Sequence, residues 1–425
     1  MHAVGLITEY NPFHNGHLHH LRESIRVTDA EVSVAVMSGH FLQRGEPALI
    51  DKWARAEMAL RAGVDVVVEL PLPWACSSAP DFSHGAVQAL AALGVDSLCF
   101  GSESGELESL QHCADFLHEN KTLIAEKTSA LLRQGVNYPQ ARAQIISALS
   151  TDALKTTILL EPNNILGIEY LKSLKQIESS IRPATIQRIG AGYHDIETTE
   201  EGIASATGIR KKLAASESVD ELLPPLVLQI LKQTIVSGRV FSEDNYCRLL
   251  LSQIFRNSAS LSDYWLVENG MENRLLNVAE NAFSLEELIS GLKSRQLTRT
   301  RIQRMLLSIL LGLNKDSVPQ LFSSGPQYLH LLAASGKGKK FLASRRKQRT
   351  TPLIQNFSRV YAILKRYHGS ESTAYDLSLK QLDLELRATK TYTLLLNKYT
   401  EGSRNRDFYE PLRTVETINE EAING

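Results

Sequence analysis

Two histidines three residues apart, His14 and His17, enclose an asparagine and a glycine in EYNPFHNGHLHH, residues 9–20. Imidazoles at this spacing admit several chemistries: a metal pair, a proton shuttle, donors to a phosphate, or the shaping of a turn. A metal pair wants further ligands, and no nearby cysteine or carboxylate completes a set. A phosphate is better served by the surroundings. Pro12 fixes one backbone angle and removes a donor, and Gly16 lets the chain and anything resting on it approach closely. A helix starting near Gly16 offers free N–H groups and the positive end of its dipole to an anion. His14 and His17 add donors, or positive charge when protonated, and together these features favour a polyphosphate that leaves as pyrophosphate. The loop is neither a Walker A loop nor a dinucleotide fingerprint.

The flanking elements place this loop. AVGLIT (3–8), SVAVMSG (33–39), VDVVVELPL (64–72), VDSLCFGS (95–102) and ATIQRIG (184–190) read as strands. DKWARAEMALRAG (51–63) and HGAVQALAALG (84–94) have helical spacing, and a helical stretch covers about 105–178. Strands alternating with helices predict an α/β fold with a doubly wound parallel sheet, Rossmann-like in character. His14 and His17 then lie at the exit of the first strand, where such sheets bind ligands. SATGIR (205–210) reads as a second helix start, with Ser205 and Thr207 as caps and Arg210 one turn in. Beyond about residue 215 apolar residues recur at i, i+3 and i+4 and strand signals become sparse. Two domains are expected, 1–215 catalytic and 216–425 mainly helical.

A chain of 425 residues, 43% hydrophobic and 22% charged, fits a globular protein of two domains. Its net charge of −1 excludes a uniformly basic nucleic-acid binder. Charge is concentrated locally: in KSRQLTRTRIQR (293–304) and GKGKKFLASRRKQR (336–349) Arg299, Arg301, Arg304, Lys339, Lys340, Arg345, Arg346 and Arg349 are candidates for RNA phosphates. A folded RNA offers phosphates over such a surface. No stretch is apolar for long enough to span a membrane, and no secretory signal is evident. Cys76, Cys99, Cys113 and Cys247 form no CxxC pair and suit free thiols in a reducing cytoplasm.

GLITEYNPFHNGHLHH resembles the start of the HIGH-motif nucleotidyltransferases, a superfamily that includes phosphopantetheine adenylyltransferase and the class I aminoacyl-tRNA synthetases. MSGHFLQRGEPALIDKWARAEMAL (37–60), VELPLPWACSSAPDFSHGAV (68–87), FGSESG (100–105), PNNILGIEYLKSL (162–174) and IASATGIRKKL (203–213) narrow the resemblance to the bacterial tRNA(Met) cytidine acetate ligases. With LTRTRIQRMLLSILLG it covers nearly the whole chain. The resemblance implies activation of acetate by ATP, with Mg²⁺ expected on the triphosphate. Acetyl transfer to the wobble cytidine of elongator tRNA(Met) follows, with no DNA and no membrane as partner.

For nucleotide binding the resemblance implicates Ile7, Thr8, Glu9, Tyr10, Asn11, Pro12, Phe13, His14, Asn15, Gly16, His17, Leu18, His19 and His20. It also implicates Gly101, either Asn163 or Asn164, and Arg188 with Ile189. His14 and His17 are the catalytic candidates, and Ser205, Thr207 and Arg210 would grip the β- and γ-phosphates. The loop with His40, Gln43, Arg44 and Glu46 lies on the same edge, so Arg44 or Lys52 would bind acetate or pyrophosphate. His194 and Asp195 form either a proton-transfer pair or an ordinary surface contact. A metabolite adenylyltransferase and an RNA-binding protein with a regulatory ATP site are the alternatives. The two basic runs argue against the first, and the HNGH turn against the second.

Overall fold

The computed structural model describes residues 1–136, 138–149, 158–159, 161–188, 204–294, 297–398, 400 and 402–415. Seven strands form one sheet: β1 (Ala3–Thr8), β2 (Val32–Ser38), β3 (Val66–Leu70), β4 (Ser97–Ser102), β5 (Arg182–Gln187), β6 (Leu329–Ala334) and β7 (Leu353–Ile354). Their order is β5-β4-β1-β2-β3-β6-β7. The first five run parallel, β6 is antiparallel to β3, and β7 is parallel to β6.

Between the strands of the first half lie α1 (Asn15–Thr28), α2 (Lys52–Arg61), α3 (Ala79–Leu93), α4 (Leu107–Glu119), α5 (Lys121–Arg133), α6 (Tyr138–Leu149) and α7 (Pro162–Gln176). After β5 come α8 (Ala206–Ala214), α9 (Pro225–Val236), α10 (Glu243–Arg256), α11 (Met271–Ala279), α12 (Leu285–Leu292), α13 (Arg299–Leu311) and α14 (Ser317–Ser324). The chain ends with α15 (Gly336–Ser344), α16 (Val360–His368), α17 (Thr373–Leu394) and α18 (Arg406–Tyr409). No helix among the described residues is long and apolar enough to cross a membrane.

The near-continuous apolar strands are explained by burial on both faces. Val32, Val34 and Val36 of β2 join a core shared with α3, α7 and the helices of the second half. Ala35 and Met37 of the same strand point to a second core with α1, α2 and α9. The period of two thus feeds two layers. At Gly5 a Cβ would come 2.7 Å from Leu90, so α3 packs directly on β1. The run LHLLAA supplies β6, which is wholly buried; a short apolar run of this kind does not reveal its own periodicity. The connection leaving β1 goes to β2 on one side, while β4 pairs on the other. That opens a crevice above the carboxyl ends of β1 and β4.

Candidate active site

Strand β1 stops at Thr8, and residues 9–14 turn the chain into α1 with His14 as its N-cap. His14 Nδ1 accepts from Gly16 N at 3.1 Å, and His17 Nδ1 accepts from His14 N at 3.3 Å. Two imidazoles therefore make the reciprocal capping box that Ser and Glu usually make. Both Nδ1 atoms act as acceptors, so the ring proton of each neutral imidazole resides on Nε2. The rings lie 3.8 Å apart. Burial, with help from Arg188 and Arg210, pushes His14 down to about 3. Burial, then His14, His20 and Arg188, holds His17 well below the usual range. Of the two roles open to the pair, donors or positive charge, these depressed values favour neutral donors.

The turn is braced from behind by a residue that sequence reasoning passed over. Arg55 of α2 is fully buried. It donates to Glu9 O at 2.6 Å, Ser38 O at 3.0 Å and Ile50 O at 3.2 Å, and also to Gly39 O. One guanidinium thus ties the carboxyl ends of β1 and β2 together, and its removal would strand several buried carbonyls. A lone arginine inside the otherwise apolar face of WARAEMAL is the signal that could have found it. Asn11 adds a second brace, its Oδ1 accepting from Leu49 N at 2.7 Å.

Above this floor opens a cavity of about 450 Å³. Ile7, Thr8, Glu9, Tyr10, Asn11, His14, Gly16, His17, His19 and His20 line its centre. Gly101, Asn163, Arg188, Ser205, Thr207 and Arg210 line one flank; Gln43, Arg44, Glu46, Phe82, Thr300 and Arg304 line the other, and the two meet where Arg210 comes 4.0 Å from Glu46. A Cβ at Gly101 would meet Arg188 at 3.2 Å, so glycine keeps that wall open. Ser205 Oγ caps Gly208 N at 3.0 Å, and Arg210 is held between Asn11 O at 2.9 Å and Thr207 Oγ1 at 3.3 Å. Burial pushes His20 down to about 4 and raises Glu9, whose Oε1 accepts from Gln43 N at 2.8 Å.

Other candidates sit elsewhere. Pro12 and Phe13 are buried in the turn, Phe13 with its ring 4.7 Å from that of Tyr10. Asn15 donates to Glu221 O, and Leu18 packs on the core under α1. The two asparagines separate cleanly. Asn164 is fully buried and accepts from Glu103 N at 2.9 Å and Ser104 N at 3.3 Å, holding the loop after β4. Asn163 lines the cavity and accepts from Arg188 Nη1 at 3.2 Å. Ile189, His194 and Asp195 lie outside the described residues.

Lys52 departs from the expectation that it meets acetate or pyrophosphate. It is 1% exposed, with Nζ 2.7 Å from both Glu69 Oε2 and Asp407 Oδ1. Glu69, His330 and Asp407 gather like metal ligands, but the lysine ammonium fills the space between the two carboxylates.

The basic runs also part company. Arg299 is exposed and Arg301 half-buried on α13, paired with Glu286 and Glu268, whereas Arg304 turns into the cavity. Lys339, Lys340, Arg345, Arg346 and Arg349 belong to α15 and the turn after it. There Arg345 pairs with Asp96 at 2.9 Å, just before β4 begins. The second run therefore lies at the opposite end of the sheet from the cavity.

The HIGH Nucleotidyl Transferase family matches residues 1–407. A Syntrophotalea carbinolica protein named tRNA(Met) cytidine acetate ligase is 54% identical over 96% of this chain and 98% of its own. A Lysinibacillus sphaericus protein of the same name is 38% identical over 90% of this chain and 96% of its own. The crystal structure of Thermotoga maritima TmcAL bound with alpha-thio ATP superposes with a TM-score of 0.87 at 34% identity, covering 97% of this chain and all of that one.

Proposed function

The chain belongs to the HIGH nucleotidyl transferase family, among its tRNA(Met) cytidine acetate ligases, and from that premise we propose how its residues divide the work. The enzyme joins an acetate oxygen to the α-phosphorus of ATP, and the bond to pyrophosphate breaks. The exocyclic amine of the wobble cytidine of tRNA(Met) then attacks the acetyl carbon, AMP leaves, and the nitrogen gives up one proton.

The observation that carries the site assignment is the imidazole capping box. It fixes both Nε2–H groups as neutral donors at the amino end of α1. Donors held in advance, where charge builds on phosphate oxygens, need no reorganisation during reaction. Arg188 and Arg210 supply the positive charge that the histidines lack, Arg210 together with Ser205 and Thr207 at the start of α8. Asn163 positions Arg188. Gly16 and Gly101 leave room for the nucleotide.

Mg²⁺ comes with the triphosphate on chemical grounds. The carboxylates lining the cavity are already engaged, Glu9 with Gln43 N and Glu46 with Gln303 at 2.7 Å. They do not form an acidic cage, so no step is routed through a protein-held ion. Residues 1–215 carry ATP chemistry, and residues 216–425 seat the tRNA. Arg299 and Arg301, on either side of the cavity-lining Thr300, make the nearer phosphate contacts, and the α15 cations the more distant ones. ATP and tRNA as substrates support a cytoplasmic location.

The test supplies ATP, labelled acetate and bulk tRNA, followed by nucleoside digestion. Labelled N4-acetylcytidine is the expected product, along with acetate-dependent ATP–pyrophosphate exchange. Loss of both overturns the reading, whereas AMP left covalently on a small metabolite would favour an adenylyltransferase.

A further inference from the structure

Both flanks of the cavity carry arginines, Arg188 and Arg210 on one and Arg44 and Arg304 on the other. Histidines and arginines for the ATP phosphates stand over β1, β4 and β5. The flank over β2 and β3 is built from the loop after β2, the first turn of α3 and the first turns of α13. Arg304 enters there from the helical half. Its Nε donates to Gln43 O at 2.9 Å. Its two terminal amino groups make no hydrogen bond or ion pair among the described residues, although Arg299 and Arg301 beside it each hold a glutamate. Burial lowers its pKa to about 10, with Arg44 and Arg301 adding to the fall and the Asp81 carboxylate opposing it, while no carboxylate among the described residues pairs with it directly. The α13 backbone sets its position, seated so closely on Gly45 that a Cβ there would lie 2.5 Å from Arg304 N.

We propose that Arg304 binds the carboxylate of acetate through its paired Nη1 and Nη2 edge, and so orients it toward the α-phosphorus. This rests on the ligase reading above. Of the groups that must enter this flank, acetate alone brings a negative charge inside. The cytosine base is neutral, its backbone phosphates stay at the mouth with Arg299 and Arg301, and the ATP phosphates belong to the other flank. With Nε committed to Gln43, the remaining edge of the guanidinium matches a carboxylate in a two-pronged contact. The helical half thereby completes the site for acetate activation as well as for tRNA.

The experiment measures acetate-dependent ATP–pyrophosphate exchange without tRNA in the full-length wild type, R304Q and R304K, varying acetate and ATP separately. R304Q is expected to raise the KM for acetate about 100-fold while the KM for ATP stays within about twofold. R304K keeps the charge but loses the fork, and falls between. R304A should regain part of its exchange when guanidinium ion is added. A KM for acetate unchanged in R304Q, with only the tRNA step impaired, overturns the assignment in favour of a tRNA phosphate. Equal rises in both KM values overturn it too, leaving Arg304 as a brace for the loop. Absence of exchange in the wild type removes the ligase reading, and the assignment with it.

Discussion

The parallel strands of this sheet begin and end in opposite electrostatic conditions. At their amino ends charges neutralise each other. Asp96 accepts from Ala3 N at 2.9 Å and pairs with Arg345; Asp65 accepts from Ser33 N at 3.1 Å and from Ser335 Oγ at 2.7 Å; Lys337 bonds to Glu31 O at 2.8 Å. At the carboxyl ends donors are held by backbone atoms and turned toward a cavity, as with His14, His17 and Arg304. Charged and polar side chains are paired with one another at one end and keep donors to spare at the other. Unused bonding capacity, rather than charge, sets the cavity end apart.

The hardest test of this contrast is to remove a poised donor. His17→Ala should lower acetate-dependent ATP–pyrophosphate exchange about 1000-fold. Asp96→Asn at the amino end should leave the exchange rate of the folded enzyme within about twofold. Equal losses would break the comparison.

Lys52 lies near the carboxyl end of β3 yet behaves like the paired residues. Lys52→Met leaves Glu69 and Asp407 buried without their shared cation, and unfolding in urea should show a loss of about 3 kcal/mol. A stable variant with lost exchange would return Lys52 to the site.

A more gradual effect is expected with pH. His14 is depressed to about 3 in the folded state, so below about pH 6.5 the unfolded chain takes up a proton that the folded chain refuses. Stability therefore falls as pH drops from about 6.5 toward about 3, by about 1.4 kcal/mol per pH unit for this group. His14→Asn keeps a capping side chain, and should flatten urea-derived stability between pH 6 and 4 by that slope.

The smallest effect separates the basic runs. Arg299→Glu with Arg301→Glu should raise the KM for tRNA about tenfold, and Lys340→Glu with Arg346→Glu about threefold. The reverse order would bring the amino end into the main RNA surface.

Much of this was legible from neighbours in the chain. The β-branched runs predict buried strands, and the strand–turn–helix placement of HNGH points to phosphate before any contact is known. SATGIR announces its cap in the same way. Sequence alone left Asn163 and Asn164 equivalent, because one helical residue of rotation sends the first to the cavity and the second into the loop after β4. It left the two basic runs equivalent as well, since their composition carries no information about which end of the sheet they reach.

By itself, then, the sequence determined what depends on short-range order: strand and helix periodicity, the caps, and the turn at Gly16. Tertiary structure alone decided which charges are spent and which are spare. Lys52 meets Asp407 across 355 residues, Arg345 meets Asp96 across 249, and Arg304 meets the Gln43 carbonyl across 261. Burial, which sets the protonation of His14 and His17, likewise comes from residues far along the chain. A side chain's charge is local, but its desolvation and its partner belong to the fold.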